Sequence, residues 1–332
     1  MGMLTVAGVA ARPGEVARGV MPVGSFADGT PLEIPFILVN GAGDGPTVYV
    51  EAACHGSEIN GLEVIRRLVT EELDPAKLKG RFILVPVANV VAFTHRQGHT
   101  PFDNENMNRV WPGKAQGRMS ERMAYALWEN AIKQANYLID LHTGNSTLVT
   151  HVVFMGGEQS SRELAEVFGV EVLLQEEKDP DWQGSRFAGK LRNSADGAGI
   201  PAICPELGGN SKFEKVRIEQ GLRGVLNVAK HLGMIPGSPV LPKKQWVVSQ
   251  GHLTQVKVAC GGAALFEVTG GDMVRTGDLI CRVYSIRDFA VLEEVRAPMD
   301  GMIIMVAENP VLHTGDMAAM MGKVTGQVDH QS

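Results

Sequence analysis

The sequence predicts an α/β protein, with a mixed sheet covered by helices and a small C-terminal all-β domain of barrel-like form. Between about Thr47 and Met234, short runs rich in valine and isoleucine alternate with amphipathic stretches, as in strands connected by helices. Several runs are continuously apolar, which is typical of strands covered on both faces. After Gly233 the pattern changes to short β-type runs separated by glycine-rich turns.

Apolar runs and helical spacing predict the individual elements. Strands of the first unit are predicted at Val48–Ala53, Phe82–Val87, Leu138–Leu141, His151–Met155, Val170–Leu174 and Ala202–Pro205. Apolar residues at helical spacing predict helices at Leu62–Val69, Met123–Ile132 and Val216–Leu232. Ser120 is a candidate N-cap of the second helix. Strands of the second unit are predicted at Trp246–Ser249, Gln255–Val258, Leu279–Tyr284 and Ile303–Val306.

Prolines mark the boundary between the two units. The segment Ile235–Pro242 holds three prolines and a glycine, the composition of a stiff linker. The chain has 332 residues, and domains usually have about 100–200 residues. We therefore predict an α/β domain with an N-terminal β segment over residues 1–235, a linker over 236–244, an all-β domain over 245–325 and a polar tail over 326–332.

Composition excludes several classes of protein. Lys and Arg number 31 against 37 Asp and Glu, and no run of five like charges occurs, so a nucleic-acid partner is not expected. No apolar run approaches the ~20 residues of a membrane-spanning helix, and the N-terminus lacks the apolar stretch of a signal peptide. The four cysteines show no paired spacing, which argues against a disulfide framework and favours a cytoplasmic protein. The sequence leaves open whether the chain forms a homo-oligomer.

Two histidines and a glutamate form a candidate metal site. The run Val48–Ala53 leads directly into His55 and Glu58, and His142 ends another apolar run. Sites of α/β sheets lie at such strand ends. Two His and one Glu, with a fourth position for water, form a common catalytic zinc set. Asp140 could accept the second N–H of His142 or satisfy backbone amides. The alternative is that both histidines are ordinary polar residues at strand ends.

Four motifs occur in the order Cys-His-Gly-Ser-Glu-Ile-Asn-Gly (54–61), Asn-Met-Asn-Arg-Val-Trp-Pro-Gly (106–113), Asp-Leu-His-Thr-Gly (140–144) and Pro-Glu-Leu-Gly-Gly (205–209). Together they resemble the succinylglutamate desuccinylase/aspartoacylase family, which is similar to the zinc carboxypeptidases. The resemblance covers about Pro22 to Gly233. It implies a carboxypeptidase-like fold and one Zn²⁺ per subunit, bound by the His-x-x-Glu pair and the later histidine. It further implies an Asn-Arg pair that grips substrate and a late glutamate that activates water.

Carried onto this chain, the resemblance makes Asn108 and Arg109 the substrate clamp and Glu206 the general base. A guanidinium pairs bidentately with a carboxylate, which supports the clamp. The segment 90–117 is long and rich in polar residues and glycine, so we expect a binding loop there. Arg96 lies in it and is an approximate match to a second arginine of aspartoacylase-like sequences. The alternative for Asn108 and Arg109 is an ordinary loop contact. The alternative for Glu206 is a surface acid near a turn.

The C-terminal turns at 270–278 and 295–301 look like those of biotinyl and lipoyl carrier domains. The modified lysine of such domains is missing, because 286–295 contains no Lys. We therefore expect a structural or substrate-gating β-domain, which either caps the active site or forms a subunit contact.

The resemblance favours a metal-dependent amidohydrolase that acts on linear amides, with a small N-acyl amino acid or related N-acyl amine as substrate. Deacetylases of the ectoine degradation route belong to the same broad group. One alternative is a zinc carboxypeptidase acting on short peptides. The other is a binding module that has lost catalysis.

Overall fold

The computed structural model describes residues 2–144, 147–177 and 189–330. The strands are β1 (Leu4–Val6), β2 (Val9–Ala11), β3 (Glu15–Ser25), β4 (Pro31–Asn40), β5 (Gly43–Ala52), β6 (Lys79–Val85), β7 (Tyr137–Gly144), β8 (His151–Met155), β9 (Val172–Glu176), β10 (Ala202–Gly209), β11 (Lys244–Lys257), β12 (Gly262–Phe266), β13 (Met273–Val274), β14 (Leu279–Tyr284), β15 (Val291–Arg296), β16 (Gly301–Val306), β17 (Val311–Leu312) and β18 (Met317–Asp329). The α-helices are α1 (Asn60–Arg67), α2 (Val90–His95), α3 (Met119–Asn130), α4 (Gln159–Phe168), α5 (Leu191–Gly197) and α6 (Lys215–His231).

One mixed sheet of twelve strands organises the chain, in the order β13-β16-β18-β11-β9-β8-β10-β7-β5-β6-β4-β3. Its centre contains the parallel pairs β10/β7, β7/β5 and β5/β6. Strands β8 and β10 pair antiparallel, which makes the sheet mixed. The predicted mixed sheet is therefore confirmed, and each strand predicted in the first unit overlaps a strand of the structure.

Helices cover both faces of the central strands. Because side chains alternate along a strand, Tyr49 and Leu138 lie on one face, in a core that also contains residues of α3 and α5. Val50 and Ile139 lie on the opposite face, in a core shared with α1, α4 and α6. The doubly covered sheet explains why its strands are continuous apolar runs in the sequence. Within the described residues, no helix has both the length and the apolar character needed to cross a membrane.

The C-terminal strands divide between two sheets. Strands β13, β16, β18 and β11 extend the large sheet, whereas β15, β14, β12 and β17 form a second one. Both sheets contribute to a separate core that includes Ile280, Val283 and Ile303. The predicted all-β unit is thus present, with two layers of antiparallel strands around its own core.

The strands do not stop at the predicted boundary. Strand β11 pairs parallel with β9, with Trp246 opposite Val172, so the large sheet continues across the predicted linker at 236–244. Strand β18 runs to Asp329, so the tail predicted from residue 326 belongs mostly to a strand. Lys244 pairs with Asp329, which explains why these polar residues are strand residues. The division of the chain into functional domains stays a prediction.

The predicted capping role of Ser120 is wrong. Helix α3 begins at Met119, which places Ser120 in its first turn. The Ser120 hydroxyl lies 2.7 Å from Thr100 Oγ1 and 3.0 Å from Asp103 Oδ1. Ser120 therefore links the preceding loop to the helix by hydrogen bonds.

Helices α4 and α6 approach closely where Gly224 faces Phe168. A Cβ at residue 224 would overlap the Phe168 ring, which is completely buried. In α5, by contrast, a Cβ at Gly197 would meet no atom within 4 Å. The same substitution should therefore have opposite effects at the two positions.

We expect Gly224→Ala to lower the free energy of unfolding by about 1–3 kcal/mol, because overpacking outweighs the helix propensity of alanine. Gly197→Ala is the matched control and should be neutral or stabilise by at most about 1 kcal/mol. Urea unfolding of both variants measures the difference. Equal stabilities would show that the α4–α6 contact relaxes without cost.

Candidate metal centre and active site

A tight turn after β5 carries His55 and Glu58. The backbone N–H of Gly56 donates to the Gln97 carbonyl at 2.8 Å, which holds the turn against the end of α2. A Cβ on Gly56 would overlap the Ala92 backbone, so only glycine allows this approach. The turn therefore fixes His55 and Glu58 at the carboxyl end of β5, beside the end of the parallel neighbour β7.

The Glu58 carboxylate is shared by both histidines. Glu58 Oε1 lies 2.8 Å from His55 Nδ1, and Glu58 Oε2 lies 2.8 Å from His142 Nδ1. The backbone N–H of Thr143 donates to Oε2 at 3.0 Å. The three predicted ligands thus converge, and one candidate ligand atom from each lies within 4.8 Å of the others.

The hydrogen bonds of Asn106 assign the tautomer of His55. Asn106 Oδ1 accepts the backbone N–H of Asn108 at 2.8 Å, which identifies this atom as the amide oxygen. His55 Nε2 lies 3.0 Å from the same oxygen and therefore donates to it. The lone pair of neutral His55 is consequently on Nδ1, directed at Glu58.

The same argument applies to His142. Its Nε2 lies 2.9 Å from Asp140 Oδ2, an acceptor, so Nε2 carries a hydrogen and the lone pair of the neutral ring is on Nδ1. Asn108 Nδ2 also lies 3.3 Å from Nε2, but its oxygen accepts the Leu191 N–H. Two donors therefore face each other, and this approach is a packing contact.

The Nδ1 atoms of both rings face the Glu58 carboxylate, so each contact needs either a proton on Nδ1 or a bound cation. Burial opposes charge on Glu58, yet His142 and His55 hold the pKa of its carboxyl at about 2. Burial also lowers the pKa of His142, but Asp140, Cys204 and Glu58 more than offset this and raise it well above its ordinary value. Two neutral imidazoles and a carboxylate form a donor set suited to Zn²⁺, so these residues fit the metal that the family implies.

A second group of candidate ligands is Asp140, His142 and Cys204, whose ligand atoms also lie within 4.8 Å of one another. Burial raises the pKa of the Cys204 thiol to about 12, and a thiol must lose its proton to bind a metal. Asp140 already accepts the His142 N–H. The group with Glu58 is therefore the better metal site.

Glu206 lies beside the candidate metal ligands. It is in register with His142 on the neighbouring parallel strand, so the two side chains extend from the same face of the sheet. Burial raises the pKa of Glu206 to about 7, with His142 lowering it and the Glu58 carboxylate adding to the increase. A half-buried carboxyl with this pKa exchanges protons near neutral pH.

The predicted substrate residues differ in position. Asn108 is buried against His142, whereas Arg109 is exposed and its Nη1 donates to the Asn108 carbonyl at 2.6 Å. Arg96 is exposed at the end of α2, with a left-handed φ of 55°. The expected binding loop at 90–117 begins with α2 and is therefore partly helical. The roles of these three residues stay predictions.

Sequence reasoning missed a buried ion pair at the end of β9. Arg192 Nη2 contacts Glu176 Oε2, and Lys190 Nζ lies 3.4 Å from the same carboxylate oxygen. Helix α5, which carries Arg192, packs in the core that contains Tyr49 and Leu138, on one face of the sheet. Glu176 follows the predicted strand Val170–Leu174, so the search for polar residues at strand ends could have found it. Arg192 has no such signal.

His151 is a buried histidine beside this site. It opens β8 directly opposite Glu206, so His151, Glu206 and His142 form one row across three strands. Its Nδ1 lies 2.9 Å from the Val149 carbonyl, and burial lowers the pKa of its ring to about 4. His151 is therefore neutral at physiological pH.

The family model described as the succinylglutamate desuccinylase/aspartoacylase catalytic domain matches residues 44–232. The chain is 27% identical over 303 residues to an N-alpha-acetyl-L-2,4-diaminobutyric acid deacetylase from Halomonas elongata. The aligned region covers 88% of this chain and 86% of the relative. The matched family segment contains every sequence-predicted site residue.

Two solved structures share the fold. A succinylglutamate desuccinylase from Silicibacter sp. TM1040 superposes with a TM-score of 0.80 at 24% identity, covering 93% of this chain and 95% of the other. The product-bound ectoine utilization protein EutE (DoeB) from Ruegeria pomeroyi gives a TM-score of 0.79, with the same identity and coverage. The similarity extends over both the α/β part and the C-terminal strands.

We expect acid to destabilise the protein through His151. The unfolded imidazole binds a proton below about pH 6.5, whereas the folded one resists protonation down to about pH 4. Stability from this residue is therefore fully present above pH 6.5 and is lost as pH falls toward 4, by up to about 3 kcal/mol.

Urea unfolding of the wild type and of His151→Gln between pH 7 and 4.5, in the presence of a metal chelator, measures this effect. The variant should lose less stability over that range. Parallel pH profiles for the two proteins would contradict the assignment of His151 as a buried neutral imidazole.

Proposed function

The chain belongs to the succinylglutamate desuccinylase/aspartoacylase family, and from this premise we propose that it is a zinc-dependent amidohydrolase that cleaves the linear amide bond of a small N-acyl amino acid or related N-acyl amine. The main observation in support is the Glu58 carboxylate shared by His55 and His142, with Glu206 on the adjacent strand. The relative named as a deacetylase of an N-acetylated diamino acid supports the same class of substrate.

One Zn²⁺ per subunit would be held by the Nδ1 atoms of His55 and His142 and by the Glu58 carboxylate. When bound, it supplies the Lewis acidity that amide hydrolysis requires. Asp140 and Asn106 accept the remaining ring N–H groups and so keep both Nδ1 lone pairs available. Thr143 restrains the glutamate through its backbone N–H.

Glu206 is the proposed general base and acid. Its carboxylate takes a proton from the attacking water and returns it to the leaving nitrogen, so that an acid and a free amine result. Two properties support this role: its place beside His142, and a pKa near neutrality that allows it both to accept and to donate a proton.

Positively charged and amide groups beside the centre are the proposed substrate anchors. Arg109 offers an exposed guanidinium next to Asn108, and Arg96 precedes both on the same segment. Arg192 joins them as a buried cation whose Nε makes no hydrogen bond to any residue in the described ranges. Guanidinium groups bind carboxylates bidentately, which suits an amino acid product. A cytoplasmic location and a possible homo-oligomeric state stay predictions of the sequence.

We expect zinc-loaded enzyme to hydrolyse N-acetyl or N-succinyl amino acids in preference to dipeptides. The test is a screen of matched N-acetyl, N-succinyl and dipeptide substrates, scored by release of a free amine with and without chelator. Loss of turnover in chelator, and its recovery with added zinc, should accompany the preference. Faster cleavage of dipeptides would favour a short-peptide carboxypeptidase, and no turnover of any substrate would favour an inactive binding module.

We expect Glu206→Gln to lower kcat by about 10²–10⁴-fold, since the amide cannot accept the proton of water. Zinc content, measured by elemental analysis, should remain one per chain because Glu206 is not a proposed ligand. Glu219→Gln, at an exposed acid on α6, is the matched control and should keep wild-type kcat. Near-normal turnover of Glu206→Gln would remove Glu206 from the mechanism.

A further inference from the structure

We propose that the chain has a second ligand site, a cavity beside α6 that binds a small amino acid with two carboxylate groups. This α6 cavity has a volume of about 330 Å³ and lies between α6, the residues that lead into β8 and β9, and the segment 240–242. The volume is at the lower end of small-molecule sites, which suits a metabolite of amino acid size. The inference goes beyond the proposed function and does not depend on it.

The α6 cavity lies on the opposite face of the sheet from the metal centre. Helix α6 packs in the core that contains Val50 and Ile139. His142 is four residues after Leu138 on β7, so these two side chains extend from the other face. Among the described residues that line the cavity are none of the proposed metal ligands or substrate anchors. The cavity is therefore separate from the site described above.

Positive charge exceeds negative charge in the lining of the cavity. Arg217 and Arg223 on α6 contribute two guanidinium groups, and Glu171 is the one acid among the lining residues that the structure describes. Arg223 and Glu171 are exposed, and neither side chain has a hydrogen bond or ion pair to another described residue. Both charged groups are therefore available to a ligand.

Arg217 and Gln220 are held in place by Thr150. The buried Thr150 hydroxyl donates to Gln220 Oε1 at 2.8 Å, and Arg217 Nη1 donates to Thr150 Oγ1 at 2.6 Å. Because Gln220 Oε1 is the acceptor, the Nε2 group keeps its two N–H donors. The contacts of Arg217 to described residues use Nη1 and Nη2, which leaves its Nε–H as a further donor.

The wall formed by 240–242 is also fixed to α6. The side chain of Asn227, which is completely buried, accepts the Val240 N–H at 2.8 Å and donates to the Val240 carbonyl at 2.9 Å. Two walls of the cavity are thus held by hydrogen bonds within the protein. A ligand that enters a preformed cavity has little of the protein left to order, which favours binding.

The charges of the lining indicate the class of ligand. A guanidinium binds a carboxylate through paired N–H···O bonds, so Arg217 and Arg223 match two carboxylates. Glu171 matches an ammonium group and repels a ligand that carries carboxylates alone. The Gln220 amide can donate to either carboxylate. L-Glutamate has two carboxylates and one ammonium group, and is therefore the probe that fits this set of charges.

Isothermal titration calorimetry of metal-free protein with L-glutamate tests the proposal, after the chelator has been removed by dialysis. Wild type should bind one glutamate per chain. Arg223→Gln removes one guanidinium from an exposed position and should weaken binding by about 5–10-fold. Lys215→Gln removes an exposed charge of the same helix outside the cavity lining. It is the matched control and should keep the affinity within about twofold, because a distant exposed charge is screened.

Titration with glutarate tests the contact to the ammonium group, because glutarate has two carboxylates and no ammonium. Glu171→Gln should weaken glutamate binding by about fivefold, since it removes an ion pair. The same variant should bind glutarate at least as tightly as wild type, because it also removes a repulsion. Circular dichroism of each variant checks that these exposed substitutions leave the fold unchanged.

Two results would overturn the proposed site: wild type that shows no saturable binding of glutamate, or Arg223→Gln that binds glutamate as tightly as wild type. The second result would place the bound glutamate elsewhere on the protein. Unchanged glutamate affinity in Glu171→Gln would overturn the choice of an amino acid as ligand. These titrations measure no turnover, so a failure of the proposed function would leave their outcome unaffected.

Discussion

The site depends on one carboxylate held between two imidazole rings. Glu58 and His142 are 84 residues apart, and their contact requires β5 and β7 to lie side by side with their carboxyl ends level. The turn after β5 can form only because Gly56 lets the backbone pass close to α2. Sheet register and turn geometry are therefore one connected constraint, and a change in either would separate Glu58 from His142.

The second constraint is electrostatic. Glu51, Asp140, Glu58 and Glu206 lie on or beside the same face of the central strands, and a buried group of acids is unstable unless its charge is balanced. The two histidines counter the charge of Glu58, the His142 N–H donates to Asp140, and burial raises the pKa values of Glu51 and Glu206. The same burial that makes the site costly to assemble brings Glu206 into the range useful for proton transfer.

The C-terminal β unit packs against residues close to the site. Met302 and Ile304 share a small core with Leu148 and Cys204, and the Val149 N–H donates to the Ile304 carbonyl at 3.0 Å. The unit therefore packs against Leu148 and Val149, which directly precede β8 and His151. The choice between a structural and a substrate-gating role for this unit stays a prediction.

The sequence by itself determined the local features of this protein. The apolar runs located the central strands, the polar residues that follow them identified His55, Glu58, His142 and Glu206, and the motifs placed the chain in its family. These features were predictable because alternation along a strand and the spacing of a turn are properties of neighbouring residues.

Only the tertiary structure decided which strands are neighbours and in what register. It placed Glu206 between His142 and His151, paired Glu176 with Arg192, and set Glu51 against Asp140. It also joined the C-terminal strands to the large sheet across the predicted linker. No local pattern carries this information, because strand pairing and the protonation of buried groups depend on packing between residues that are distant in the chain.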